Sequence, residues 1–195
     1  ETNGKYWYKN NIKFKHMHLP IIEIFDFNQY GFINVKDREI VDVGAFVGDS
    51  SIYFALRGAK RVYAIEPHPG AYAEMLENIK LNKMEDRIIP INVAIGDKQD
   101  TIKMPTNIDT VETMGIYHGL KGINGIEIQT ITLKHLINDY RVKPDILKMD
   151  CEGCEFDVIM NDYEDVRKFE ELVIEIHGDK DSQKKLLNKL SIDYT

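Results

Sequence analysis

The fold is decided by residues 40–50, which read Ile40-Val41-Asp42-Val43-Gly44-Ala45-Phe46-Val47-Gly48-Asp49-Ser50. An apolar run that ends in glycine and continues in small and apolar residues as far as Leu56 predicts a buried strand, a tight turn and a helix. Glycine lets the backbone approach a ligand closely, and the start of the helix offers unpaired amides. We therefore expect a binding site at this turn.

Strand and helix patterns alternate along the rest of the chain. Strands are predicted at residues 61–65, 88–95, 127–131, 145–149 and 172–176, with a shorter piece at 101–104. Helices are predicted from Pro69 to about residue 79, from Thr132 to 140, and at 155–161 and 182–190. This alternation predicts an α/β protein whose mostly parallel central sheet carries helices on both faces and has its site at the carboxyl ends of the strands.

The size of the chain favours one such domain. Its 195 residues suit a single core, so we expect a domain over residues 39–195 and an aromatic-rich N-terminal extension, residues 1–38, packed on it. A glycine-rich stretch at 105–125, which includes His118, is the best candidate for a lid.

Charge and hydropathy exclude some classes of protein. There are 25 Lys and Arg residues against 32 Asp and Glu residues, a net charge of −7, which disfavours a broad nucleic-acid surface. No apolar run approaches the roughly 20 residues that span a bilayer, and the first residues lack a signal-peptide pattern. We expect a cytoplasmic protein in which Cys151 and Cys154 are reduced and packed as small hydrophobic residues.

The first two strand ends describe a nucleoside pocket. In the turn, Ala45 and Phe46 stand where a dinucleotide fingerprint has its middle glycine, which argues against NAD and FAD. Glu66 ends the second strand 18 residues after Gly48, where a carboxylate can accept hydrogen bonds from both ribose hydroxyls. S-adenosylmethionine, a nucleoside without a pyrophosphate, fits this pocket.

Further motifs resemble a known family. They are, in order, residues 40–50, Ala64-Ile65-Glu66-Pro67-His68-Pro69, Glu77-Asn78-Ile79 with Asn82, Ala94-Ile95-Gly96-Asp97, and Ile146-Leu147-Lys148-Met149-Asp150-Cys151-Glu152-Gly153. Together they resemble the FkbM family of S-adenosylmethionine-dependent methyltransferases. The resemblance implies a Rossmann-like class I methyltransferase fold and, usually, O-methylation of a sugar, polyketide or other small hydroxylated metabolite.

The resemblance also implies which residues bind the cofactor. Asp42, Gly44 and Gly48 would line its methionine and ribose portions, Glu66 would hold the ribose, and Asp150 would lie beside the methyl group. The full predicted set is Asp42, Gly44, Ala45, Gly48, Glu66, Pro67, Asn92, Val93 and Asp150, with Asn92 or Val93 near the adenine.

Methyl transfer to a hydroxyl needs a group that takes up the proton. Asp150, Glu152 and His177 are the candidates for general base or substrate orientation. Glu152 has an alternative role as a cap of the next helix, and His177 as a packed histidine at a strand end. The three could gather a divalent ion, but their spacing is not diagnostic, and no metal is predicted.

Two other features have simpler interpretations. Lys148 lies on an apolar strand, where a lysine needs a partner, and Glu175 on the neighbouring strand is the predicted one. His16-Met17-His18 has a spacing that suits a metal, but no acidic or cysteine residue stands nearby in sequence, so exposed histidines are favoured.

The end of the chain departs from the family pattern. Class I methyltransferases finish with a helix and an antiparallel hairpin, yet only residues 191–195 follow the last predicted helix. We therefore expect the last antiparallel strand to be missing and the open sheet edge to favour a homo-oligomer. Alternatives to O-methylation of a small molecule are N-methylation, a glycan or glycolipid acceptor, and a non-catalytic cofactor-binding module.

Overall fold

The computed structural model describes residues 6–9, 11–105 and 125–194. His118 and nearly all of the predicted lid, residues 105–125, lie outside the described residues. The first elements are a hairpin of β1 (Trp7–Lys9) and β2 (Ile12–Phe14), then α1 (Leu19–Phe25). They are followed by β3 (Glu39–Val43), α2 (Asp49–Leu56), β4 (Arg61–Ile65), α3 (Pro69–Leu81), β5 (Ile88–Ile91), β6 (Ala94–Ile95) and β7 (Asp100–Met104). The last are β8 (Ile126–Ile131), α4 (Leu133–Tyr140), β9 (Ile146–Met149), α5 (Cys154–Asn161), α6 (Tyr163–Val166), β10 (Glu171–Ile174) and α7 (Lys180–Leu190).

The central sheet is parallel throughout, in the order β10-β9-β3-β4-β5. Successive residues of a strand point to opposite faces, so the sheet separates two apolar cores. Ile40 and Val62 belong to the core beneath α1, α2 and α3, whereas Val41, Tyr63 and Leu147 belong to the core on the other face. This arrangement confirms the predicted α/β fold.

The predicted strand at 88–95 is in fact two strands in two sheets. β5 belongs to the central sheet, but β6 pairs with β8 in a smaller sheet of order β6-β8-β7. Between them, Nδ2 of Asn92 donates to the carbonyls of Glu66 (2.8 Å) and Pro67 (3.1 Å). The chain leaves the central sheet at Asn92, a single polar residue within an otherwise apolar stretch.

The N-terminal residues bind to the polar side of α3. Asn82 accepts from the amide of Lys13 (2.9 Å) and donates to its carbonyl (2.7 Å), and Asn78 accepts from the amide of Lys15 (2.8 Å). Because residues four apart share one helix face, Glu74, Asn78 and Asn82 form a row, which we call the polar seam. The domain boundary at residue 38 stays a prediction.

The central sheet has β5 at one edge and β10 at the other. In the part of the chain that the structure describes, no strand follows β10, and α7 is the last element. Pairing of this edge with a second subunit stays a prediction. Within the same residues, no helix is both long and apolar enough to cross a membrane.

Candidate functional site

A cavity of about 480 Å³ opens at the carboxyl ends of the central strands. Gly44 after β3, Glu66 after β4 and Asp150 after β9 all line it. Parallel strands bring their carboxyl ends to one edge of the sheet, which is why residues far apart in sequence meet here.

The glycine turn after β3 is shaped by close backbone contacts. Gly44 has φ +77°, and a Cβ atom there would lie 1.8 Å from the carbonyl oxygen of Asp150, so no side chain fits. The amides of Gly44 and Ala45 both donate to the carbonyl of Ile65 at 3.0 Å. Phe46 has φ +46°, a left-handed conformation that is unusual for an aromatic residue, and it lines the cavity.

Glu66 is fixed in the cavity wall by this turn. Its Oε2 accepts from the amide of Phe46 (2.9 Å) and its Oε1 accepts from the amide of His68 (2.7 Å). The residue is only 4% exposed, and burial raises the pKa of its carboxyl to about 8, although both amide hydrogen bonds oppose this shift. Each carboxyl oxygen keeps a second lone pair that can accept a ligand hydroxyl.

Asp49 is a site residue that sequence reasoning missed. It is the first residue of α2, it lines the cavity, and it is buried. Among the described residues, no group hydrogen-bonds to its Oδ2, and burial raises the pKa of the carboxyl to about 7. A buried acceptor without a partner is costly, so a ligand with a donor or a positive charge fits here. The one signal in the sequence is an acidic residue directly after Gly48.

Lys148 does not pair with Glu175 as predicted. Its Nζ lies 3.0 Å from Oδ1 of Asp42 and donates to the carbonyl of Gly44 at 3.0 Å. The physical reason is the register, because Asp42 stands directly opposite Lys148 on β3, while Val173 holds that place on β10. Burial acts to lower the pKa of Lys148, but the Asp42 carboxylate outweighs it and the pKa is raised.

The side chain of Asp42 therefore stabilises the glycine turn and the start of α2. Its Oδ2 accepts from the hydroxyls of Ser50 (2.7 Å) and Ser51 (2.6 Å), which lie in the first turn of α2. Of the predicted cofactor residues, four line the cavity, namely Gly44, Glu66, Pro67 and Asp150. The other five are not among the lining residues: Asp42, Ala45, Gly48, Asn92 and Val93. Their roles toward the cofactor stay predictions.

The three predicted catalytic residues lie close together, but only two of them line the cavity. Asp150 and Glu152 line it, whereas His177 does not. Nε2 of His177 lies 3.5 Å from Glu152 and 3.8 Å from Glu175, which also lines the cavity. The side chain of Glu175, which the sequence assigned to Lys148, belongs to this group. Facing atoms of Asp150, Glu175 and His177 lie within 4.8 Å of one another.

A buried carboxylate holds His177 in place. Oε1 of Glu155 lies 3.0 Å from Nδ1 of His177 and accepts its backbone amide at 2.8 Å. Because a carboxylate only accepts, Nδ1 carries the proton and Nε2 faces Glu152 and Glu175. Burial acts to lower the pKa of His177, but the charges of Glu152 and Glu155 outweigh it and raise the pKa.

Glu152 does not cap the following helix. The N-cap of α5 is Gly153, which has no side chain, and it is Glu155 that accepts the Gly153 amide at 2.9 Å. The Glu152 carboxyl is free to face the cavity, and burial raises its pKa.

Cys151 and Cys154 form a disulfide, so the prediction of two reduced cysteines is wrong. Gly153, with φ +120°, turns the chain between them and brings their Cα atoms within 5.5 Å, a separation that a disulfide spans. Both cysteines line the cavity next to Asp150. The sequence argument for a reducing compartment thereby loses its basis.

Comparison with known proteins places this architecture in a family. Residues 42–192 match the family model described as the methyltransferase FkbM domain. The hexuronic acid methyltransferase AglP of Haloferax volcanii is 26% identical over 166 residues, which cover 82% of this chain and 66% of AglP. The uncharacterized protein 158B of Sulfolobus islandicus rod-shaped virus 1 is 28% identical over 161 residues, which cover 83% of this chain and 74% of the viral protein.

A solved structure shares the fold. The crystal structure of Methanocaldococcus jannaschii Trm5 in complex with adenosine matches 94% of this chain and 45% of that chain, with a TM-score of 0.50 and 21% identity. The chain thus spans about half of Trm5 and about two thirds of AglP. It belongs to the FkbM methyltransferase family, which confirms the predicted Rossmann-like class I fold and S-adenosylmethionine as the cofactor.

Proposed function

We propose that this protein transfers the methyl group of S-adenosylmethionine to a hydroxyl oxygen of a small, uncharged acceptor such as a sugar. One observation carries the proposal. Asp150 and Glu152 line the same cavity as Gly44 and Glu66, and His177 lies 3.5 Å from Glu152. Groups suited to acid–base chemistry therefore share a site with groups suited to a nucleoside. The AglP relative, named for a hexuronic acid, supports the sugar part of this proposal, although its named acceptor carries a carboxyl group that the acceptor proposed here lacks.

The cavity wall fits this cofactor. Glu66 can accept hydrogen bonds from the ribose hydroxyls, and Asp49 offers an unsatisfied carboxyl oxygen to the ammonium group of the methionine portion. Gly44 leaves the backbone bare where the ligand must approach. When bound, the cofactor supplies a methyl group that its sulfonium activates for transfer.

The remaining task of the protein is to place and deprotonate the acceptor. Asp150 orients the hydroxyl, and Nε2 of His177 takes up its proton as the new oxygen–carbon bond forms and the sulfur–carbon bond breaks. The buried carboxylate of Glu155 stabilises the imidazolium that results.

The charge of the wall favours an acceptor without negative charge. Acidic side chains outnumber basic ones in the lining of the cavity as a whole: Glu23, Asp49, Glu66, Asp97, Asp100, Asp150, Glu152, Asp157 and Glu175 against Lys98 and Lys148. Such a field disfavours an anionic acceptor. It also suits an amine, which makes N-methylation the second candidate.

The test combines binding with product analysis. Calorimetric titration with S-adenosylmethionine and S-adenosylhomocysteine, with NAD as the control, measures the cofactor site. Methyl-labelled cofactor is then offered with a neutral sugar, its amino-sugar counterpart and its uronic acid, and mass spectrometry locates the label. Label on oxygen of the neutral sugar supports the proposal, label on nitrogen selects the second candidate, and binding without transfer to any of them indicates a non-catalytic cofactor-binding module.

A further inference from the structure

Two histidines of the N-terminal extension contact one buried carboxylate outside the cofactor cavity. Nδ1 of His16 lies 2.8 Å from Oε2 of Glu74, and Nε2 of His18 lies 3.0 Å from Oε1 of the same side chain. Glu74 follows His18 by 56 residues, so the sequence alone does not bring the three together. The fold therefore supplies the acidic companion that the His16-Met17-His18 motif lacks locally.

The arrangement follows from the way the extension runs along α3. Met17 packs against the apolar core, whereas its two neighbours, His16 and His18, contact Glu74. The register is set by hydrogen bonds that the backbone amides of Lys13 and Lys15 donate to the side chains of Asn82 and Asn78. Glu74 is the next member of the polar seam, and its carboxyl group contacts both imidazoles.

The charge of Glu74 is not balanced by a permanent cation. It is 4% exposed, and among the described residues no Lys or Arg forms an ion pair with it. The carboxylate contacts two imidazoles instead. A buried carboxylate in this setting can accept a positive ion.

We propose that His16, His18 and Glu74 form a binding site for a divalent metal ion of the Zn²⁺ type. One ligand atom from each residue lies within 4.8 Å of the other two, a separation that small side-chain movements close to a coordination shell. Two imidazoles and one carboxylate are donors that Zn²⁺ uses, with water completing four-coordination. These three residues could bind the ion whether or not the protein transfers a methyl group.

The site would join the extension to the cofactor turn. The ring of His18 packs edge-on against the ring of Phe46, with centroids 5.0 Å apart, and Phe46 lines the cavity. A metal ion would hold residues 16–18 on α3 and, through His18, support the conformation of Phe46. The role of the ion there would be structural, because none of its three ligands lines the cofactor cavity.

The test measures metal binding directly. Chelator-treated protein is titrated with Zn²⁺ by calorimetry, and Co²⁺ is used as a probe whose visible absorption reports the ligand geometry. Reductant is left out, because reduced Cys151 and Cys154 would add thiolate ligands. We expect wild-type protein to bind Zn²⁺, with a weakening of at least about tenfold in both His16→Ala and Glu74→Gln.

Two choices keep this test decisive. The His16 side chain is 59% exposed, so His16→Ala should leave folding intact, which circular dichroism verifies. Glu77→Gln is the matched control, since Glu77 lies on the same helix but pairs with Lys15 at 2.6 Å, and it should bind Zn²⁺ as wild type does. Absence of Zn²⁺ binding by the wild type would overturn the proposal. So would wild-type affinity for Zn²⁺ in both His16→Ala and Glu74→Gln, a result that would point to the Asp150, Glu175 and His177 group.

Discussion

Lys148 and Asp42 form an ion pair, 3.0 Å from Nζ to Oδ1, that is shielded from solvent beneath the glycine turn. Asp42 also receives the hydroxyls of Ser50 and Ser51, and Lys148 donates to the carbonyl of Gly44. The pair thus ties two neighbouring strands to the turn and to the start of α2. A buried pair of this kind stabilises only while both partners are present.

Removal of one partner should destabilise the fold strongly. Lys148→Met leaves Asp42 buried without its cation, and we expect a loss of about 3–5 kcal/mol in the free energy of unfolding. Urea unfolding measures it. Lys98→Met is the control, because Lys98 forms an exposed pair with Asp100 at 3.7 Å and should cost less than about 1 kcal/mol. Similar losses in the two variants would contradict the assigned role of the pair.

The cavity carboxyls should make stability depend on pH. The pKa values of Asp49 and Glu66 are raised to about 7 and about 8, so the folded protein keeps protons that the unfolded chain loses near pH 4. Their contribution to stability is complete below that pH and is lost as pH rises toward 8. Relative to the wild type, Asp49→Asn should therefore gain stability progressively between pH 4 and 7 in urea unfolding. A difference that does not change with pH would show that Asp49 ionises normally.

Glu66 and Asp150 should affect different steps of the proposed reaction. Glu66→Ala removes the acceptor for the ribose, and we expect cofactor binding to weaken by about tenfold or more in calorimetry. Asp150→Ala should mainly lower turnover, with a smaller effect on cofactor affinity. An equal loss of binding in both variants would sink this division of roles.

Glu155 should set the pH at which His177 becomes active. Glu155→Gln removes a charge that raises the pKa of His177, so the rising limb of the pH–rate profile should move to lower pH. Turnover should fall by roughly 10- to 100-fold, since the imidazole also loses its orientation. A limb that stays in place while turnover falls would mean that Glu155 acts only on the structure and that another group takes the proton.

The sequence predicts what depends on neighbours along the chain. The β3–turn–α2 unit, Glu66 at the end of β4 and Asp150 at the end of β9 follow from local patterns, and the parallel topology then brings them together. The order of the strands in the sheet does not follow from such local patterns. The sequence therefore predicts Glu175 on one neighbouring strand as the partner of Lys148, whereas the partner is Asp42 on the other.

Other features depend on backbone geometry that residue types do not reveal. The disulfide between Cys151 and Cys154 needs the turn at Gly153, and the break at Asn92 comes from two side-chain hydrogen bonds to the β4 end. Glu74 becomes a companion of His16 and His18 only because the extension lies along α3. Asp49 gives no sign in the sequence that one of its oxygens stays unsatisfied.

Asn78 gives the extension and the glycine turn a common partner. Its Oδ1 accepts from the amide of Lys15, while its Nδ2 donates to the carbonyl of Val47 at 2.9 Å. One side chain thus contacts both regions, which gives them a physical route for coupling. Linkage is reciprocal. Any ion or partner that orders residues 13–18 and thereby changes the affinity for the cofactor must itself be bound more tightly, or more weakly, by the same factor once the cofactor is in place.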